Sequence, residues 1–376
     1  MHQSPLRQFH LDFGAQMVEY AGWEMPIRYG SIREEHLQVR RAGGIFDVSH
    51  MGRVKFRGRH ARRLLERLCT RRIHDMQIGQ CRYSLVCNEH GGVRDDVLVY
   101  KLDEDEFLVV VNASNREKML GHFEQVRAES DLTVSIDDET LKTAMIAIQG
   151  PNVMELVSTV SSEVPMLKRY RFLVKDLMII KVMVSRTGYT GEDGVEVILP
   201  ASAVGMALKL LLKDLKPGDP DAPIKPAGLG ARDSLRLEAG MPLYGHELGE
   251  GVNALSCGID FAISLDKDEH EKGEAFIGLA ALKKTRDEGG PARKIIGLKI
   301  GGPRTPRQGM PVLAGDTEIG AVTSGCASPT LGYPIAMALV DREHAEIGSV
   351  MRIDGGRHQL DAEVVPLPFY KAPKKS

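Results

Sequence analysis

The chain has 376 residues, 43% of them hydrophobic, with 49 Lys plus Arg against 51 Asp plus Glu and a formal charge of −2. That length accommodates two or three domains, each with apolar material for its own core. The even charge balance excludes any general electrostatic attraction to nucleic acid or an anionic membrane, which leaves small molecules or one specific protein as partners.

Cys69, Cys81, Cys87, Cys257 and Cys326 are odd in number, widely spaced and without a C-x-x-C. This argues against a disulfide framework and a zinc site and fits a reducing, cytoplasmic setting. The first twenty residues carry Arg7, Asp12 and Glu19 and no apolar h-region, and no run reaches the ~18–20 apolar residues of a spanning helix. Neither an export signal nor a membrane anchor is expected. The twelve histidines show no H-E-x-x-H, and no G-x-x-x-x-G-K-[ST] occurs, so metal and P-loop chemistry are not expected. No period of 20–50 residues recurs, which sets solenoids and propellers aside.

Along the chain, Phe46-Asp47-Val48-Ser49-His50-Met51-Gly52 comes first among the chemically mixed stretches. Adjacent Ser49 and His50 point apart in an extended segment, so a catalytic dyad is not expected. His50 is expected to hydrogen-bond backbone or Asp47, with Met51 packing on an apolar ligand edge. From Val54 to about Ser135, strands at 92–100 and 107–112 and amphipathic helices at 60–69 and 114–127 read as an α+β unit with antiparallel pairing.

Within it, Gly91-Gly92-Val93-Arg94-Asp95-Asp96-Val97-Leu98-Val99-Tyr100 sends two adjacent carboxylates from a glycine turn into a strand. Alternation groups Asp95 with Val97 and Val99, and Asp96 with Leu98 and Tyr100. One acid faces inward, and Asp96 is the choice made here. Burial there is costly unless the group is paired, hydrogen-bonded or awaiting a ligand. The plainer alternative has both acids capping the turn.

A second unit follows, with strands at 145–148, 178–184 and 195–199 and a helix at 203–215 that ends in the breaker-rich loop 217–223. The turn Arg186-Thr187-Gly188-Tyr189-Thr190-Gly191-Glu192-Asp193-Gly194 feeds the last strand, where Glu196 lies opposite Val195 and Val197. It is either a solvent-facing strand residue or a planar acceptor for the amidine-like N–H edge of a pterin or guanine. Gly228-Leu229-Gly230-Ala231-Arg232-Asp233-Ser234-Leu235-Arg236 then opens a helix that ends at Gly240. It lacks the third glycine and preceding strand of a dinucleotide fingerprint. Arg232 and Arg236 share a face, either solvated or paired with Asp233 or Glu238; a helix-start arginine also suits clamping a carboxylate or ring oxygen. Residues 283–291 read as a charged, glycine-ended linker and domain boundary. Beyond it, alternating segments at 294–299, 318–323, 335–340, 350–353 and 359–365 suggest a small all-β barrel or jelly roll.

Taken together, Ala21-Gly22-Trp23-Glu24-Met25-Pro26, the Phe46 to Gly52 run, the Gly91 to Tyr100 run, the Arg186 to Gly194 run, the Gly228 to Ala239 run, and Thr323-Ser324-Gly325 with Ser328-Pro329-Thr330-Leu331-Gly332 resemble one family. It is the T-protein of the glycine cleavage system, a tetrahydrofolate-dependent aminomethyltransferase, and the likeness runs in order from about Pro5 to Tyr370. The resemblance implies an α+β, three-domain cloverleaf. Residues 1–282 would hold two interleaved α+β subdomains, the second at about 53–138, with folate in the central hole and a C-terminal β-barrel at 292–372.

The resemblance further implies Asp96 as the catalytic acid, Glu196 and Arg232 as folate contacts, Tyr189 and Tyr370 as nearby pocket residues, and Tyr83, Tyr100, Val111 and Met51 as pocket lining. The implied reaction takes the aminomethyl group of an S-aminomethyl-dihydrolipoyl carrier, the H-protein, onto tetrahydrofolate as co-substrate. Ammonia leaves and 5,10-methylenetetrahydrofolate forms, without a metal. His246 and Gln80 depart from the usual family residues. A folate-dependent S- or O-demethylase on the same scaffold is the nearest alternative. A non-catalytic folate-binding iron–sulfur assembly factor is the other, though Leu243 stands where that group carries cysteine.

Overall fold

The computed structural model describes residues 1–177, 180–211, 215–217, 219 and 221–373. The chain forms two compact units, each built from discontinuous stretches: 1–61, 76–82 and 98–235 make the first, and 62–75, 83–97 and the chain from 236 onward make the second.

The first unit centres on a six-stranded sheet in the order Phe172–Leu177, Ile180–Ser185, Gly194–Pro200, Thr143–Gln149, Gly44–Asp47, Lys225–Pro226. All its pairings are antiparallel except the last. Period-two alternation gives the sheet two apolar faces. Val195, Val197 and Leu199 pack with Ile146, Ile148 and the helix Val204–Leu211. Ile198, Met145 and Ala147 face a second core with Phe46, Tyr100 and Leu235. A strand enclosed on both faces leaves no solvent side, and this decides the environment of Glu196.

A five-stranded sheet runs in the order Cys81–Cys87, Val93–Asp103, Glu106–Val111, Gly52–Arg57, Ser135–Asp138. Helix Arg116–Glu129 lays Phe123 edge-on against Phe56, ring centroids 5.2 Å apart. The expected helix at 60–69 is Ala61–Leu68. Of the strand expected at 178–184, residues 178 and 179 lie outside the described residues, as do 212–214 of the helix expected at 203–215.

The second unit contains a closed six-stranded antiparallel barrel: Arg293–Ile300, Pro334–Asp341, Thr317–Ala327, Pro311–Ala314, Val350–Asp354, Gln359–Val365. Ile296, Leu298 and Ile300 point inward with Ala336, Ala338 and Val340. Each large aliphatic side chain enclosed this way contributes about 1.5–3 kcal/mol. The strand Pro311–Ala314 had no counterpart in the sequence reading, being four residues long and led by proline. The stretch 283–291 is a linker only at its end. Leu279 and Leu282, three apart, are buried in a core with Leu85 and Val93 and carry the helix Leu279–Asp287 through Lys283 to Asp287. The chain leaves it at Gly289 and Gly290, both at positive φ (+97° and +98°).

Candidate active site

The turn before the paired acids is capped by Asn88, whose Oδ1 accepts the N–H groups of His90 (3.1 Å) and Gly92 (2.9 Å). Gly92 is obligatory, because a Cβ there would lie 1.9 Å from the Glu250 carbonyl oxygen. Alternation along the following strand holds, but the wholly buried acid is Asp95, at 0% exposure, with Val93, Val97 and Val99. This corrects the inward assignment. Asp96 is half-buried on the other face, where the Tyr83 hydroxyl donates to its Oδ2 at 3.0 Å. The Tyr83 ring lies 6.0 Å from the exposed Phe261 ring. Asp96 is thus a carboxylate held by a phenol and reachable from outside, as a group that meets a substrate must be.

In the first unit, the Arg186 turn is held by a bidentate contact of its Nη2 with Asp193, at 2.6 and 2.7 Å, and by an ion pair of Arg40 with Glu192 at 2.8 Å. The hairpin sets Ser185 opposite Glu196. Glu196 is 7% exposed, so the solvent-facing alternative fails. A chain of hydroxyls reaches it: Tyr100 Oη to Ser185 Oγ at 3.4 Å, Ser185 Oγ to Thr187 Oγ1 at 2.7 Å, and Thr187 Oγ1 donating to Glu196 Oε2 at 2.5 Å. Burial above all, then Cys81 and Glu196, push the Tyr100 phenol well above its ordinary pKa, so it stays protonated. Among the described residues no donor reaches Glu196 Oε1. The Thr187 hydroxyl thus fixes one oxygen of the carboxylate.

Arg232 lies on the helix Leu229–Glu238. Gly228 before it packs against the Ile27 carbonyl, where a Cβ would stand 2.3 Å away, and its N–H bonds to Glu35 Oε2 at 2.8 Å. The Arg232 guanidinium sits 5.1 Å from the Tyr189 ring centroid and 6.0 Å from that of Phe46. Burial lowers its pKa, opposed by Glu196, Tyr189 and Tyr20. Its side chain makes no hydrogen bond among the described residues, and Nη1 is shielded from solvent without a partner.

His50 also departs from expectation. Asp47 is taken by Ser4, by His10 Nε2 at 2.9 Å and by the Ser49 N–H at 2.8 Å, and His50 Nδ1 is buried with no partner among the described residues. Ser49 Oγ turns toward Met145 instead, so the two side chains do point apart. Desolvation, outweighing Asp47 and reinforced by Arg232, lowers the His50 pKa to about 4.

Arg236 belongs elsewhere. It is not solvated but buried, donating to Glu247 Oε2 at 2.9 Å and Ser324 Oγ at 2.7 Å; Glu238 accepts from Ser328 and from the Thr330 N–H. Of the remaining candidates, Met51 packs half-buried against the Phe46 core. Val111 is fully buried on the opposite face of its strand from Leu108 and Val110, with a methyl group beside Gly52. Tyr370, in the second unit, donates its N–H to the Glu238 carbonyl at 2.8 Å. His246 Nδ1 meets the Thr323 carbonyl at 2.9 Å. The sequence reading missed Thr187 and Ser185 as supports of Glu196; the signal was a short polar turn between two strands, which a hairpin closes into contact.

Glu196, Arg232 and Tyr189 fit a reduced folate: a planar acceptor for an N–H edge, an unmatched guanidinium for a ring oxygen, and an aromatic wall. Among the described residues no group of three or more His, Cys, Asp or Glu is placed to hold a metal ion.

Comparison with known proteins matches two family models, the GCVT N-terminal domain over residues 6–267 and the glycine cleavage T-protein C-terminal barrel domain over 293–371. An aminomethyltransferase of Rubrobacter xylanophilus is 46% identical, covering 99% of this chain and 95% of the relative. One of Bacillus pumilus is 40% identical over the whole of both chains. The crystal structure of glycine cleavage system aminomethyltransferase T from Bartonella henselae superposes with a TM-score of 0.89 at 28% identity, covering 99% of this chain and 98% of the other.

Proposed function

We infer that this chain, which belongs to the glycine cleavage T-protein family, is an aminomethyltransferase that moves the one-carbon unit of an S-aminomethyl-dihydrolipoyl carrier onto tetrahydrofolate and releases ammonia. The observation that carries the folate side is the pairing of an open carboxylate oxygen on Glu196 with an unmatched Nη1 on Arg232. A pterin offers both complements on one flat ring, the N–H edge and the ring oxygen. Tyr189, already under the Arg232 guanidinium, supplies the stacking surface. Tyr370 joins Tyr189 in the proposed binding set, with Tyr83, Tyr100, Val111 and Met51 as its proposed lining.

Bound reduced folate supplies the amine that accepts the carbon. Asp96 acts on the charge that this transfer develops. As the aminomethyl nitrogen expels the sulfur, positive charge grows on the carbon–nitrogen centre, and a carboxylate already oriented by Tyr83 stabilises it without reorganising. The same carboxylate is placed to accept a proton, its half-buried position leaving one side reachable. Thr187 and Ser185 keep the Glu196 plane fixed, so that the ring binds in one orientation.

This reading divides the chain into two interleaved α+β subdomains within 1–282, the second at about 53–138, and a barrel domain at 292–372; the separate family matches support the last division. A cytoplasmic setting is supported by the cysteines, which form no disulfide among the described residues, four of them being buried. Among the described residues no helix is long and apolar enough to cross a membrane. The test supplies the pure chain with methylenetetrahydrofolate, ammonia and a carrier in its reduced, dihydrolipoyl form, or with tetrahydrofolate and simple S- or O-methyl donors. Aminomethyl loading of the carrier is expected. Turnover with methyl donors alone would overturn the assignment in favour of a demethylase.

A further inference from the structure

We propose that His50 is a further ligand-contacting residue, whose ring nitrogen Nδ1 meets a polar atom on the edge of the pterin held by Glu196 and Arg232. The proposal rests on the folate reading above and deepens it by adding a third polar contact.

The ring's direction is set by a rigid turn. The Val48 N–H bonds to the Met145 carbonyl at 3.0 Å, the Met51 N–H to the Val48 carbonyl at 3.1 Å, and Arg53 Nη1 to the Ser49 carbonyl at 3.0 Å. Tyr20 packs against the imidazole edge-to-face, centroids 5.5 Å apart. His50 is only 4% exposed. Around it the polar groups are matched: Asp47 takes three donors, and Ser49 Oγ both donates to and accepts from Met145 backbone. His50 Nδ1 is the exception in this turn, and buried polar atoms without a partner are uncommon enough to need a cause.

Arg232 Nη1 is unmatched in the same way, and its charge acts directly on His50. Arg232 in turn is acted on by Glu196 and Tyr20, the residue that packs on His50. Arg232 Nη1 and His50 Nδ1 are buried without a partner among the described residues, only Oε2 of Glu196 is engaged there, and Arg232 links the three residues electrostatically. A heterocycle with alternating ring N–H, carbonyl and ring nitrogen groups meets all three at once. An aliphatic methyl donor meets none of them.

The experiment measures binding of 5-formyltetrahydrofolate, a stable reduced folate, to the wild type, His50→Leu and His50→Gln, with melting temperatures beside each. His50→Leu is expected to weaken binding about tenfold, a change of about 1.4 kcal/mol, and to raise KM for tetrahydrofolate more than it lowers kcat. His50→Gln, which keeps a polar group there, is expected to recover most of the loss. In wild-type protein with 15N-labelled histidine, the signal missing from His50→Gln should shift when the folate is added. Equal folate affinity in His50→Leu and wild type, or an unmoved His50 signal in the folate-bound protein, would overturn the proposal and assign Nδ1 to a trapped water. Wild type that binds no folate would instead overturn the folate reading itself. If His50→Leu does not fold, the glutamine variant and the wild-type spectrum decide.

Discussion

Two arginines four residues apart on one helix, Arg232 and Arg236, have opposite fates. Arg236 is fully buried and fully engaged: Glu247 and Ser324 take its hydrogens, and Glu247 in turn accepts from Thr323 Oγ1 at 2.6 Å and from the Leu243 N–H at 3.0 Å. Arg232 rests on aromatic rings with no side-chain hydrogen bond among the described residues. A buried charge surrounded by its own partners serves the fold; one left without them is shaped for something that arrives later.

The largest expected effect breaks the structural side. Arg236→Met leaves Glu247 buried and uncompensated and should cost about 3–5 kcal/mol of stability, read as a fall in the urea midpoint. Arg232→Met should leave that midpoint within about 0.5 kcal/mol of wild type, since no hydrogen bond is lost, while folate binding weakens by about 10–100-fold. Equal destabilisation by the two variants would erase the distinction.

Next in size is a pH effect. His50 has a folded-state pKa of about 4 against an ordinary 6.5, so below pH 6.5 the unfolded chain takes up a proton that the folded chain refuses. Stability from this group is complete above pH 6.5 and falls as pH drops toward 4, by up to about 3 kcal/mol. His50→Gln should flatten that part of the stability profile, and Arg232→Met should move its acid limb upward by removing a charge that holds the imidazole neutral. An unchanged profile in His50→Gln would show that the ring is not held neutral by its surroundings.

The smallest effect refines the ligand side. Thr187→Val removes the hydroxyl that fixes Glu196 Oε2 and should weaken folate binding by about 1.5–3 kcal/mol, with Thr187→Ser restoring it. Equal affinity in Thr187→Val would mean that the carboxylate is oriented by other contacts.

Period-two patterns made the barrel legible, because its inward Ile296, Leu298 and Ile300 alternate with outward residues as a closed sheet demands. The same rule correctly separated Asp95 from Asp96, but it did not tell which face was sealed, because that depends on what packs across the strand and not on the strand itself. Glu196 read equally as exposed or functional for the same reason. The Glu247 partner of Arg236 was not legible because it sits in a loop eleven residues on, beyond the reach of helical spacing. The helix Leu279–Asp287 hid behind its charged surface face, with only Leu279 and Leu282 betraying a buried stripe. The role of Asn88 as the cap of the glycine turn was visible in composition and overshadowed by the two acids.

Asp96 carries the chemistry in this account, and single-turnover transfer from an S-aminomethyl carrier to tetrahydrofolate by Asp96→Asn tests it most directly. The rate should fall about 10²–10³-fold, with folate affinity and melting temperature near wild type. Transfer at close to the wild-type rate would contradict the assignment.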